Sequence, residues 1–167
     1  MNAKSGILMV LMLLISSTGY AQQSKSEVES LRGITGVYVL VESLRPDIKD
    51  DGLMEENIQR DVELKIRSSK INILTAEEWS QEPGLPYLYV RVSSIKSDLE
   101  VYSFYIDIQL YQMVRLMRDM DTSCSSITWN SSGSYGVVGV ENVNDIRNGI
   151  DDLMDEFIND YLSVNPR

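Results

Sequence analysis

The chain reads as an α+β protein: a two-layer sandwich whose mixed, mostly antiparallel sheet carries both helices on one face. Three patterns predict it. Apolar and polar residues alternate along Tyr87–Ile95 and Val101–Arg118, the period of half-buried strands. Apolar residues recur every three or four positions along Leu53–Ile71 and Val143–Leu162, the stripe of amphipathic helices. The short apolar run Ile71–Leu74 follows the first helix at once, a βαβ-like step that places two strands parallel. The element order is β-α-β-β-β-β-α. Strands with one oily side and helices with one stripe bury most when both helices roof the same side of the sheet.

Taken in order, the chain opens with MNAKSGILMVLMLLISSTGYAQQ. Lys4, the apolar run Ile7–Ile15 and the small residues Gly19 and Ala21 are the three parts of a secretory signal peptide. We expect cleavage after Ala21, with a retained anchor as the alternative; the run is short for a bilayer span. No cysteine follows it, so a lipid anchor of the bacterial lipoprotein kind is not expected. The expected domains are a signal peptide over 1–21, a flexible leader over 22–35 and one α+β domain over 36–167.

Within that domain, Gly36–Leu44 is a β-branched, alternating strand, stopped by Arg45-Pro46. The helix of Leu53–Ile71 shows Met54, Ile58, Val62 and Ile66 on one stripe, with Asp50 or Asp51 placed to cap it. Residues 76–86, AEEWSQEPGLP, read as a loop. Leu88, Val90 and Val92 share one side of the next strand. On the longest strand, Tyr102, Phe104, Ile106, Ile108, Leu110, Val114 and Leu116 share the even side. DMDTS, 119–123, is the expected turn, and Cys124–Asn130 the last strand, with Ile127 and Trp129 on one face. SSGSYGVVG, 131–139, reads as a loop before the final helix.

Composition narrows function by exclusion. Fifteen basic residues face 25 acidic ones, a net charge of −10, and removal of Lys4 with the signal peptide makes it −11. Such a chain is repelled by nucleic acid and by anionic membrane surfaces. There is no histidine, which removes Ser-His-Asp and Cys-His catalysis and every His-ligated metal site. Cys124 is the only cysteine, so it has no intrachain partner for a disulfide.

The stretch Asp47–Asn57, DIKDDGLMEEN, gathers acids around Gly52 like a calcium loop. An EF-hand loop starting at Asp47 would need a ligand where Lys49 stands and a bidentate glutamate where Ile58 stands. The start of a helix explains the same acids. Asp151, Asp152, Asp155 and Glu156 fall opposite the oily stripe of the last helix and read as a solvated face. Asn130-Ser131-Ser132 matches a glycosylation sequon, a weak signal.

One arrangement points outward. If the helices cover the even side of the long strand, its odd side presents Tyr105, Asp107, Gln109, Tyr111 and Arg115. The matching side of the preceding strand presents Tyr87, Tyr89 and Arg91, with Tyr38 beside them. Tyrosine and arginine are enriched in interface cores. The competing explanation is that tyrosines pair across strands for stability alone.

GVYVLVESL, the helix that begins at Gly52-Leu53 and ends DVELKIRSSKI, LYVRVSSIKS, Thr128-Trp129 and FINDYLSVNP together resemble a family of small secreted bacterial proteins of unknown function. The resemblance implies a bacterial origin and brings no active site with it. More remotely, the element order is similar to periplasmic α+β domains such as the amino-terminal domain of TolB and outer-membrane assembly lipoproteins. The expected role is therefore an exported, periplasmic or secreted, non-enzymatic domain that needs no cofactor or metal. It would act on a protein partner or on itself. A carrier of a small apolar ligand between sheet and helices is the alternative, and a carboxylate-dependent hydrolase a third.

Overall fold

The computed structural model describes residues 24–166. The proposed signal peptide and its cleavage site lie outside the described residues. In order come α1 (Lys25–Glu29), β1 (Gly36–Val41), α2 (Pro46–Asp50), α3 (Glu55–Ser68), β2 (Asn72–Ile73), α4 (Ala76–Gln81), β3 (Tyr87–Lys96), β4 (Val101–Leu116), β5 (Asp119–Asn130) and β6 (Ser134–Gly139). A 3-10 turn (Val140–Asp145) leads into α5 (Ile146–Val164). The α+β class is as expected.

The strands run β2-β1-β3-β4-β5, with β6 also on β4. β1 pairs in parallel with both β2 and β3, so the βαβ step through α3 is real. β3, β4, β5 and β6 pair antiparallel. β5 and β6 divide one edge of β4 between them, β6 taking Val101–Ile106 and β5 taking Gln109–Leu116. Ser131 closes the gap: its N–H donates to the Ile108 carbonyl, and its hydroxyl accepts from the Ile108 N–H.

Residues with one parity face α3 and α5. Val37, Val39, Leu88, Val90, Ile106, Ile108, Leu110 and Trp129 are buried there. They meet Ile58, Val62 and Ile66 of α3 and Ile150, Leu153 and Phe157 of α5. Trp129 stacks edge-on against Phe157 and donates its indole N–H to Asp160, 2.9 Å away. Burying one such side chain stabilises by about 1.5–3 kcal/mol. Gly149 lets α5 come close to β4, since a Cβ there would stand 2.9 Å from Ile106 Cδ1.

Several expectations are corrected. From Ser24 onward the leader is part of the fold: Ser24 and Glu27 form a capping box for α1, and Leu31 is fully buried. The segment 76–86 is not all loop, because Thr75 and Glu78 form a second capping box that starts α4. Residues 119–123 belong to β5, the turn having moved to Met117 and Arg118. Ser134–Gly139 is a strand rather than a loop. A bulge at Thr128 puts Ile127 opposite Tyr111 and Trp129 opposite Leu110, so these two do not share a face. Asp51 does not cap α3, whose N-cap is Met54. Instead Asp51 accepts from the Tyr102 hydroxyl at 2.7 Å and from Lys96 at 2.9 Å. Those two donors, Tyr102 first, hold its carboxyl below the usual range.

Candidate functional site

Opposite parity builds the other side of the sheet. Cross-strand partners point the same way, so the register assembles the face directly. Tyr38 lies beside Tyr87 and Leu40 beside Tyr89. Tyr87 lies beside Tyr111, Tyr89 beside Gln109, Arg91 beside Asp107, and Ser93 beside Tyr105. Tyr105 then meets Tyr135, and Ser103 meets Val137.

The face has two ends. At one, aromatic rings form a continuous ladder. Tyr87 and Tyr111 stack with centroids 4.9 Å apart and planes at 4°, and Tyr89 meets Tyr111 edge-on at 6.0 Å. Trp79 of α4 lies over this end, 5.6 Å from Tyr38 and 6.1 Å from Tyr87. Here the chain partly covers its own phenols: Tyr38, Tyr87, Tyr89 and Tyr111 are half-buried. Burial, and then the neighbouring Glu42 carboxylate, push the Tyr89 phenol up to about 12.

In the middle, Arg91 grips Asp107 with two parallel hydrogen bonds of 2.8 and 3.0 Å. The Asp107 side chain is 2% exposed although it points away from the core side. This paired geometry is the strong form of an ion pair. It ties Asp107 up structurally, and Asp107 lines neither of the two grooves described below.

The other end is open. Tyr105 is 42% exposed, Val137 68%, Ile95 72% and Tyr135 86%. Tyr105 lies against Gly133, whose φ of +77° suits glycine, and a Cβ there would sit 2.7 Å from the Tyr105 hydroxyl. Arg115 is not gathered with the others. It lies four positions beyond Tyr111, about 14 Å along the strand at ~3.4 Å per residue, on a ribbon made of β4 and β5 alone.

The structure thus brings Tyr87, Tyr89, Arg91 and Tyr111 together with Tyr38, sets Tyr105 at the opposite end, and leaves Arg115 apart. Sequence reasoning missed Trp79, Tyr135, Val137 and Ile95. Thr75-Ala76-Glu77-Glu78 is a capping-box spacing that would have placed Trp79 in a helix. Tyr135 and Val137 alternate across Gly136, a strand signal hidden by glycine and serine.

Three acids of the Asp47–Asn57 stretch have local partners. Asp47 takes Arg45, Asp51 takes Tyr102 and Lys96, and Glu55 takes Lys49 and the Leu44 N–H. Among the described residues no group of three or more cysteine, aspartate or glutamate side chains is placed to hold a metal ion. The last helix is more engaged than a solvated face requires: Asp151 and Asp155 hold Lys65 at 2.7 and 2.9 Å, and Glu156 accepts from the Ser132 N–H.

A groove of about 690 Å³ runs between α3 and α5. Its floor includes Ile58, Val62, Ile150 and Met154, and Asp61–Arg147 and Lys65–Asp151 pair across it. It lies between the helices, not between helices and sheet. No described helix is long and apolar enough to cross a membrane. Compared with known proteins, the chain matches no family model and, at a significant level, no curated sequence.

Proposed function

We propose that this is an exported, non-enzymatic interaction domain of the bacterial envelope, which docks on a protein surface through the open end of its outer sheet face. The partner is another envelope protein or a second copy. The observation that carries the reading is the contrast within that face. Tyr38, Tyr87 and Tyr111 spend their ring surface on each other and on Trp79, whereas Tyr105, Tyr135, Val137 and Ile95 offer theirs to solvent from neighbouring strands. Contiguous exposed apolar area of this kind marks association sites more often than scattered residues do. The apolar run Ile7–Ile15 supports export, and the acidic balance argues against nucleic acid as partner.

The test is native mass spectrometry of the protein isolated from its host envelope, beside the double variant Tyr135→Asp/Ile95→Asp. The expected result is a dimer or heteromer for the wild type and a monomer with unchanged Tm for the variant. A wild type that is monomeric throughout, or a complex indifferent to the two substitutions, would contradict the reading. A co-purifying lipid-sized mass on a monomer would favour the carrier alternative.

A further inference from the structure

A second surface stands at the opposite border of the sheet. β2 pairs only with Gly36 and Val37, and the last bond of that ladder runs from the Leu74 N–H to the Val37 carbonyl. Beyond it β1 continues to Val41. The N–H groups of Tyr38 and Glu42 donate towards β3, to Pro86 and Val90. Alternation therefore turns the backbone groups of Val39 and Val41 to the other edge. There the Val39 carbonyl accepts from the Gln59 side chain at 3.3 Å. The N–H groups of Val39 and Val41 and the Val41 carbonyl meet no partner among the described residues.

Natural sheets blunt such edges with lysine, proline or a bulge. Val39-Leu40-Val41 has none of these, and Leu40 is 41% exposed. A groove of about 530 Å³ runs along the edge, with β1 on one side and α3 on the other. The α3 wall supplies Glu55, Glu56, Glu63 and Arg60. Lys49 already holds Glu55 and Arg67 holds Glu63, which leaves Glu56 as the carboxylate of the wall with no ion-pair partner among the described residues.

We infer that this edge takes up an extended segment of another protein as an added strand, in line with β2 and beyond its end. The segment is one that alternates apolar and basic side chains. Backbone bonds to Val39 and Val41 would supply affinity, and alternate side chains specificity, as in other strand additions. One set of side chains would lie over Tyr38 and Leu40, and the other would face the α3 carboxylates. The charge of the wall argues for a basic peptide over a second copy, since two copies paired edge to edge would set Glu56 and Glu63 of both against each other.

The probe is an acetylated, amidated octapeptide of alternating valine and lysine, followed by amide exchange of Val39 and Val41 in NMR spectra of the whole protein. The controls are the valine–glutamate peptide and a valine–lysine peptide N-methylated at alternate amides. The expected result is binding with exchange at Val39 and Val41 slowed about ten-fold, and neither control bound. Glu56→Lys, a substitution at an exposed position, should weaken binding about five-fold, while Tyr135→Asp should leave it unchanged. Unaltered exchange at Val39 and Val41, equal binding of the glutamate peptide, or protection of both amides by self-association without peptide would each overturn it.

Discussion

On one side of the β3–β4 ladder, Leu88, Val90, Ile106, Ile108 and Leu110 are sealed beneath α3 and α5; on the other, Tyr87, Tyr89, Tyr105 and Tyr111 stay partly open. Both sides are rich in apolar surface. The difference is that the sealed residues carry no polar side-chain atom, whereas each tyrosine has a hydroxyl that must find water or a partner. Exposure here follows from whether a side chain can be roofed without stranding a polar atom. Of the two tryptophans, one follows this rule and the other is its exception. The buried Trp129 gives its N–H to Asp160, while Trp79, laid over the open side by the short α4, has an N–H shut from solvent with no acceptor among the described residues.

The sharpest way to break this comparison is to truncate both indoles. Trp129→Ala should cost about 3–5 kcal/mol in urea unfolding, and Trp79→Ala about 1–2 kcal/mol. Equal losses would mean that the outer face is as firmly packed as the inner one. Next comes the buried charge of the open side. Arg91→Ala leaves Asp107 shut in without its partner and should cost about 2–3 kcal/mol, less than a fully buried pair because Arg91 is half-exposed. Arg91→Leu with Asp107→Leu should recover most of that. A cost below about 0.5 kcal/mol for Arg91→Ala would mean that water replaces the guanidinium freely.

A smaller effect sharpens the role of α4. Thr75→Ala removes one half of the capping box and should cost about 1 kcal/mol, with Trp79 emission moving to the red as α4 loosens over Tyr38 and Tyr87. Unchanged emission would show that ring contacts alone hold the helix. The smallest effect at neutral pH belongs to Tyr102→Phe, about 0.5–1.5 kcal/mol for the lost bond to Asp51. Burial, then that bond, push the Tyr102 phenol from 10.0 up to about 12. The folded state therefore holds this proton more tightly than the unfolded chain does. Its contribution is complete below pH 10 and is lost as pH rises towards 12. Stability measured across that window should fall more steeply for the wild type than for Tyr102→Phe.

Much of this comparison was legible in the letters. Period-two alternation assigned every odd residue of β4 from Tyr105 to Arg115 to the outer side, because parity survives any error in strand ends. The helical stripes also held, except that Met54 is the exposed N-cap of α3 and not part of its buried stripe. What was not legible depended on single residues or on long-range pairing. Ser134–Gly139 is a strand because β4 offers it an edge, not because serine and glycine favour one. The Thr128 bulge reverses Ile127 relative to Trp129 through one extra residue, which no alternation count reveals. α1 and α4 are too short to show a stripe, and only their capping boxes announced them. Proximity was the remaining gap: parity placed Tyr105, Tyr111 and Arg115 on one side without saying that they lie far apart along it.

Nitration of the folded monomer with tetranitromethane, read site by site by mass spectrometry, tests most directly whether only one side of the sheet is roofed. Tyr135 and Tyr105 should be modified first, Tyr38, Tyr87, Tyr89 and Tyr111 more slowly, and Tyr102 and Tyr161 last. Modification of Tyr102 as fast as Tyr105, or protection of both Tyr105 and Tyr135 in the monomer, would contradict the account.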